Sequence, residues 1–170
     1  TNKIYAATED NLRVADLDQP LIFFSFWKSV SGLSQGNYTE VEVFNNYVFT
    51  NMQTTTLDDS LFYLDGGIWK YFSDQPIGKK TDIRSNDNTL LIVDTYFANT
   101  FDSNLDVIIN LSSGAGFEPG TFLPNVAWQE KNGNLIYVGN FSYSLIRSED
   151  IFKNTRIIPD GPFSNSVYTI

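Results

Sequence analysis

The sequence predicts an all-β fold made of one small antiparallel sheet repeated four times. First, a short apolar segment typical of a β-strand recurs with its first residue at positions 4, 47, 91 and 136, in steps of 43, 44 and 45 residues. Second, another segment of the same kind follows each of them. Third, 17 asparagines among 170 residues cluster with Gly, Asp and Ser between the apolar runs, where they favour tight turns. A period of about 40 to 50 residues made of several short strands is typical of a β-propeller, with one sheet, or blade, per repeat.

Each repeat is predicted to form a blade of four antiparallel strands. Val41 and Val43 alternate with Glu40 and Glu42, which is the period-two pattern of a half-buried first strand. Turns rich in asparagine follow the first strand, because Asn and Gly accept the positive φ of a hairpin turn; they lie at residues 45–46, 85–88 and 131–134. The first strands are predicted at residues 40–44, 81–84, 126–129 and 167–170, and the second at 4–7, 47–50, 91–94 and 136–139. The third are predicted at 12–14, 61–64, 105–108 and 145–147, and the fourth at 22–24, 68–72, 108–109 and 156–158.

We interpret residues 1–170 as one β-propeller region of about four blades. The chain opens at a second strand and closes on a first strand, so two arrangements are open. In a closed four-bladed ring, residues 167–170 complete the first blade by pairing beside residues 4–7. Alternatively, the four blades belong to a larger propeller. Because the chain begins Thr-Asn-Lys without an initiator methionine, we expect a piece of a longer protein.

The composition excludes several classes of function. A net charge of −9 and a pI near 4.3 argue against nucleic acids and anionic membrane surfaces, which require clustered Lys and Arg. No apolar stretch approaches the roughly 18 residues of a transmembrane span. The longest, residues 21–27 (LIFFSFW), is predicted to be a buried strand.

The chain contains no cysteine and no histidine. Disulfides, Ser-His-Asp and Cys-His catalysis and His/Cys zinc sites are therefore impossible. A carboxylate pair is the remaining catalytic option, but Asp58-Asp59 and Glu149-Asp150 are expected to be solvated turn residues. Residues 102–106 begin like a calcium loop and then lose the required Gly and Glu, while glycines 114, 116 and 120 miss the spacing of a dinucleotide motif. We therefore predict no enzymatic activity, no cofactor and no bound metal.

Aromatic residues are the remaining candidates for a binding site. Trp27, Trp69 and Trp128 are of a type that stacks on sugars, although packing is the favoured role for all three. The longest predicted loop, residues 110–125, carries Phe117 and Phe122. Either these two rings plug the core from a folded-back loop, or they are exposed for a partner. The candidate contacts for a partner or glycan are thus Phe117, Phe122 and Trp27.

Three segments resemble a known class of propellers. Residues 27–34 (WKSVSGLS), followed by Asn37-Tyr38-Thr39, are similar to the W…GL… linker between blades of two-component-regulator-type propellers. Residues 65–69 (DGGIW) are similar to the dG-x-W hairpin of those propellers. Residues 158–167 (IPDGPFSNSV) resemble the P-x-GP-x-S-N inter-blade linker of PorZ-like proteins, which belong to the type IX secretion attachment complex of Bacteroidetes.

The resemblance implies a non-enzymatic recognition scaffold exported to the cell surface, outer membrane or periplasm of a Gram-negative bacterium. Its expected partners are proteins of a surface complex and lipopolysaccharide or another glycan. The same blades form the periplasmic sensor of hybrid two-component regulators, which bind oligosaccharides, and this is the alternative function. The matched motifs are blade scaffolding, so the resemblance assigns no binding residue.

Overall fold

The computed structural model describes residues 2–55, 59–72, 79–112, 117, 122–130, 135–140, 144–149 and 153–157. Within these ranges the chain forms fifteen β-strands, and its helical structure is one 3-10 turn at Phe24–Phe26. No helix of the described residues is long and apolar enough to cross a membrane. The chain divides into two compact units, Thr1–Ile77 and Gly78–Ile170.

Unit 1 contains two antiparallel sheets whose strands follow one another in chain order. The first sheet has three strands: β1 (Lys3–Ala7), β2 (Leu12–Asp16) and β3 (Lys28–Ser29). The second has four: β4 (Asn37–Phe44), β5 (Tyr47–Gln53), β6 (Ser60–Asp65) and β7 (Ile68–Tyr71).

Unit 2 contains two four-stranded sheets of the same design. The first consists of β8 (Lys80–Ser85), β9 (Leu90–Asp94), β10 (Phe97–Phe101) and β11 (Val107–Ser112). The second consists of β12 (Pro124–Gln129), β13 (Ile136–Asn140), β14 (Ser144–Ser148) and β15 (Asn154–Ile157). The predicted repeat of antiparallel four-stranded sheets is thereby confirmed for three sheets. The first strand predicted at residues 167–170 lies outside the described residues.

The three four-stranded sheets share an irregularity that was not predicted from the sequence. In each, the first strand carries one residue more than its partner, at Thr39, Thr81 and Asn125. Such a β-bulge bends its strand and increases the local twist. The bulges occupy equivalent places, near the start of β4, β8 and β12, so they belong to the repeat.

Packing between sheets also repeats. In unit 1 the first strand of the second sheet, β4, packs against β1, and in unit 2 β12 packs against β9 and β8. The unit 1 contact encloses Leu12, Val30 and Tyr38, and burial raises the pKa of Tyr38, whose hydroxyl donates to Ser34 O at 2.7 Å. Trp69 packs against this cluster, as predicted. Among the described residues of unit 2, one core cluster contains Leu91, Val93, Ala98, Leu111, Phe122, Ala127, Ile136, Val138 and Ile146.

The strands predicted for the third repeat were partly wrong. Its third strand is β10, with the sequence FANTF, and not residues 105–108. Asp102 Oδ1 accepts hydrogen bonds from the backbone N of Asn104 and Asp106, at 2.8 and 2.9 Å, and Leu105 has a φ of 68°. This turn separates β10 from β11, so the residues of the failed calcium pattern serve as a turn.

Residues 21–27, hereafter the apolar segment, are not the predicted buried strand. They form consecutive turns between β2 and β3, and the two-residue β3, the third and last strand of this sheet as described, takes the place of the strand predicted at residues 22–24. Ile22, Phe23 and Phe24 are 87, 55 and 68% exposed. Pro20 precedes the segment, and the backbone N of Phe23 donates to Pro20 O at 3.0 Å, which closes a turn where the strand was expected.

The hairpin between β6 and β7 turns at Gly66 and Gly67, whose φ values are 57° and 87°. Positive φ at both central residues is the requirement of a type I′ turn, which favours Asn or Gly at the first position. A side chain at Gly66 meets no atom within 4 Å, so only backbone strain opposes it. We expect Gly66→Val to lower the free energy of unfolding by roughly 1–2 kcal/mol and Gly66→Asn to lower it far less. Urea denaturation measures both variants, and equal losses would contradict the turn.

Candidate functional site

The two phenylalanines of the long loop lie in the core of unit 2. Phe122 is fully buried, and Phe117 is partly buried and packed against the same cluster. Their rings stack with centroids 4.5 Å apart at an angle of 25°. Of the two interpretations, the geometry supports the plug: Phe122 offers a partner no accessible surface.

Trp27, by contrast, is half-buried and lies at the end of the apolar segment, three residues of which are exposed. Its indole Nε1 donates to Leu21 O at 2.9 Å, which ties the two ends of the apolar segment together. Backbone N of Phe26 and Trp27 donate to the O of Phe23 and Phe24, at 3.1 and 3.0 Å. The segment is therefore held in one conformation by its own hydrogen bonds while Ile22, Phe23 and Phe24 remain exposed.

A charged residue also contacts this segment. The guanidinium carbon of Arg13, on β2, lies 4.6 Å from the centre of the Phe24 ring, within the range of a cation–π interaction. The rings of Phe23 and Phe26 are tilted at 56° to each other, with their centroids 6.5 Å apart. These contacts restrain the rings of Phe23 and Phe24, so these two side chains would lose little conformational freedom when a partner binds them.

A second candidate lies in unit 2, where β12 meets the turn between β8 and β9. We call it the Trp128 groove; its volume is about 330 Å³, at the small end of the range of ligand sites. Arg84, Ser85, Asn86, Asp87, Thr89, Leu91, Trp128 and Gln129 line it. Polar side chains thus surround one large aromatic ring and one aliphatic residue.

Hydrogen bonds fix the polar wall of the groove. Asn86 Oδ1 accepts from the backbone N of Asn88 and Thr89, at 3.0 and 2.9 Å, and so folds the β8–β9 turn. The Thr89 hydroxyl lies 2.5 Å from Gln129 Oε1 and 2.9 Å from Asn86 Oδ1. The hydroxyl has one proton to donate, and Asn86 Oδ1 already accepts two hydrogen bonds. The Thr89 hydroxyl therefore donates its hydrogen bond to Gln129 Oε1. It joins the two sheets at the floor of the groove.

Arg84 is oriented by a buried carboxylate. Its Nε donates to Asp82 Oδ2 at 2.7 Å, and the same oxygen accepts from the backbone N of Ala127 at 3.4 Å. Asp82 is 8% exposed, whereas the guanidinium side chain is 45% exposed at the groove. One carboxylate thus connects the strands on the two sides of the groove and positions its cation.

Trp128 departs from the packing role expected for it. It is 46% exposed, and its ring is tilted against Tyr137 with centroids 5.8 Å apart. The neighbouring residues Ala127 and Gln129 are buried, as alternation along a strand requires. Sequence reasoning named Trp128 but not Arg84 or Gln129, because only the pairing of the two sheets brings these residues together.

The candidate carboxylates form no catalytic pair among the described residues. Asp59 was expected in solvent but is buried, where Oδ2 accepts from Asn51 Nδ2 at 3.0 Å and Oδ1 from Thr54 N at 3.3 Å. Glu149 is exposed and pairs with Arg147 and Lys153 at 3.3 and 3.8 Å. Asp58 and Asp150 lie outside the described residues. Within the described ranges, no group of three or more acidic side chains is placed to hold a metal ion.

Comparison with known proteins adds information on the fold alone. No known protein family matches the chain, and no curated protein matches it. Among solved structures, the computationally designed Ika8 protein is similar with a TM-score of 0.62 at 13% identity, over 91% of this chain and 46% of that one. Hsv2 of Kluyveromyces lactis is similar with a TM-score of 0.52 at 11% identity, over 89% of this chain and 47% of that one. The chain spans less than half the length of either protein.

Proposed function

We propose that the chain is a non-enzymatic recognition scaffold, built as a β-propeller or part of one, that binds a protein partner through the apolar segment. The propeller is supported by the recurring strand order, by the recurring bulge and by the matching contacts of β4 with β1 and of β12 with β9. Exported location and a PorZ-like place in a bacterial surface complex are supported by the linker and hairpin motifs.

The observation that carries this proposal is the exposure of three consecutive large apolar residues, Ile22, Phe23 and Phe24. Leaving such groups in water forgoes roughly 1.5–3 kcal/mol for each side chain that a partner is able to bury completely. Contiguous exposed apolar surface of this kind marks interaction sites in soluble proteins. Aromatic anchors that are already fixed in place are typical of the residues that dominate binding energy.

The expected partner is a protein with an apolar groove and a polar rim. Arg13, Asp16, Asp18 and Lys28 flank the segment with two positive and two negative charges, so no charge selects an ionic ligand. The centre of the contact is apolar, and these charged residues would lie at its edge, where ion pairs contribute little.

We expect the double substitution Ile22→Ser and Phe24→Ser to weaken binding of the partner by at least about tenfold while stability stays within about 0.5 kcal/mol. The chain is immobilised, partners from a Bacteroidetes outer-membrane extract are identified by quantitative mass spectrometry, and the affinity of the purified partner is then measured. Val43→Ser with Ile68→Ser is the matched control, since both residues are exposed and apolar and belong to the other sheet of unit 1. A partner that binds the test variant as tightly as the natural chain would refute the proposal.

The alternative function is that of an oligosaccharide-sensing propeller of a hybrid two-component regulator. It predicts that the complete gene encodes different domains after this region. A membrane helix and a kinase encoded downstream would identify the sensor, and a β-sandwich sorting domain would identify the secretion complex. Sequencing the complete gene separates the two.

A further inference from the structure

We infer that the Trp128 groove is a carbohydrate subsite, in which the C–H face of an uncharged sugar ring stacks on Trp128 and its hydroxyls bond to the polar wall. This site lies within unit 2 and does not depend on the apolar segment or on a protein partner. It therefore adds a second ligand to the proposed scaffold.

The aromatic ring supplies the first half of the argument. A large aromatic ring that remains 46% exposed on a strand whose neighbouring residues are buried is available as a flat apolar platform. Tyr137 supports one part of it at 5.8 Å, so the orientation of the ring is set before a ligand arrives. A sugar ring presents aliphatic C–H groups on one face and hydroxyls at its edge, which suits an apolar platform surrounded by polar groups.

The polar wall supplies the second half. Arg84 offers a planar guanidinium held by Asp82, and donors of this geometry suit the paired hydroxyls of a sugar. Asp87 is an exposed acceptor at the same turn, which is folded by Asn86. The lining thus combines a fixed cationic donor with an anionic acceptor, and hydroxyls, which donate and accept, satisfy both.

Charge indicates which sugars fit. Arg84 is already paired with Asp82, and Asp87 adds a negative charge beside the groove, so the lining has no net excess of positive charge. The chain as a whole carries −9. Phosphorylated, sulfated or uronic sugars would therefore meet repulsion, and a base of a nucleic acid would bring its phosphates with it. A neutral oligosaccharide is the ligand that the groove favours.

The test is binding of the intact chain to an array of neutral, sulfated and uronic oligosaccharides, followed by titration calorimetry with the best neutral ligand. We expect millimolar to micromolar affinity, little change between about 0.05 and 0.5 M salt, and a loss of about tenfold or more with Trp128→Ala. Trp128→Phe, which keeps an aromatic platform, should retain part of the affinity. Tyr96→Ala, an exposed aromatic residue of the same unit outside the groove, should change nothing.

Asp82→Asn tests the orientation of Arg84 separately. The Asn side chain still accepts from Ala127 N, but it loses the ion pair that orients the Arg84 guanidinium. The affinity for the sugar should therefore fall, while Trp128→Phe should still retain part of the affinity. Three results would overturn the inference: no neutral sugar bound at 10 mM, affinity unchanged by Trp128→Ala in a folded variant, or preferred binding of anionic sugars that weakens with salt. The Ile22→Ser, Phe24→Ser variant retains the groove, so partner binding and sugar binding are tested by separate variants. A negative sugar result therefore leaves the proposal for the apolar segment standing.

Discussion

Replacing Phe122 by alanine is expected to lower the free energy of unfolding by about 3–5 kcal/mol, one of the two largest effects of a single substitution that we anticipate. The ring is fully buried in the core of unit 2 and stacks on Phe117 at 4.5 Å. Its removal loses the transfer free energy of a phenyl group and leaves a cavity that the surrounding β-strands, fixed by hydrogen bonds, fill only partly. Urea denaturation followed by circular dichroism measures the change.

Phe117→Ala is the informative companion to this variant. Phe117 is only partly buried, so its loss should cost clearly less than that of Phe122. Phe24→Ala, an exposed phenylalanine, should cost less than about 0.5 kcal/mol. A Phe122→Ala protein as stable as the natural chain would show that the loop does not contribute to the core, and the interpretation of the two rings as a plug would fail.

The second large effect is expected at Phe49 on β5. This fully buried ring is stacked on Tyr63 at 5.9 Å and meets the edge of Phe72 at 5.5 Å. Tyr47 approaches the same group from the start of the strand, at 6.2 Å from Phe49. Because four aromatic rings share these contacts, Phe49→Ala should cost about 3–5 kcal/mol, and Phe49→Leu, which fills most of the volume, considerably less.

Val43→Ala provides the control for Phe49, since Val43 is an exposed residue of the same sheet. Hydrogen exchange measured by mass spectrometry locates the damage: exchange should increase over β5 and β6. Increased exchange confined to β1 and β2 instead would contradict the role of the aromatic cluster in its own sheet.

The sequence predicted strands well where burial alternates or where apolar residues are continuous. β9 is the clearest example, because LLIVD is apolar through four residues and buried throughout. β10 escaped prediction because its buried residues include Asn99 and Thr100, which a hydrophobic pattern does not reveal. Polar residues inside a sheet become predictable only when their neighbours on other strands are known.

The apolar segment shows the opposite error. Composition alone assigned LIFFSFW to a buried strand, since a run of apolar residues normally has a core to join. The chain instead turns after Pro20, and the segment forms its own hydrogen bonds at the surface. A hydrophobic pattern alone does not show whether an apolar run is buried in the chain or exposed at its surface.

The groove could not be predicted for a different reason. Arg84 and Asp87 lie about forty residues from Trp128 and Gln129, and none of them forms a local motif. They meet because β12, the first strand of the second sheet of unit 2, packs against β9 and β8 of the first sheet of that unit. The sequence predicted the repeat. Which residues line the groove depends on how the two sheets pack, and the sequence does not show that.

The bulges at Thr39, Thr81 and Asn125 have a consequence for solubility. Each lies on β4, β8 or β12, a strand at one end, or margin, of the strand order of its sheet among the described residues. A regular margin of this kind is a template onto which a strand of another molecule adds, and it is the usual starting point of aggregation. One extra residue breaks the two-residue rhythm and twists the margin, so an added strand would lose its register within a few residues. We therefore expect this irregularity, repeated in three sheets, to hinder strand addition between copies of the chain.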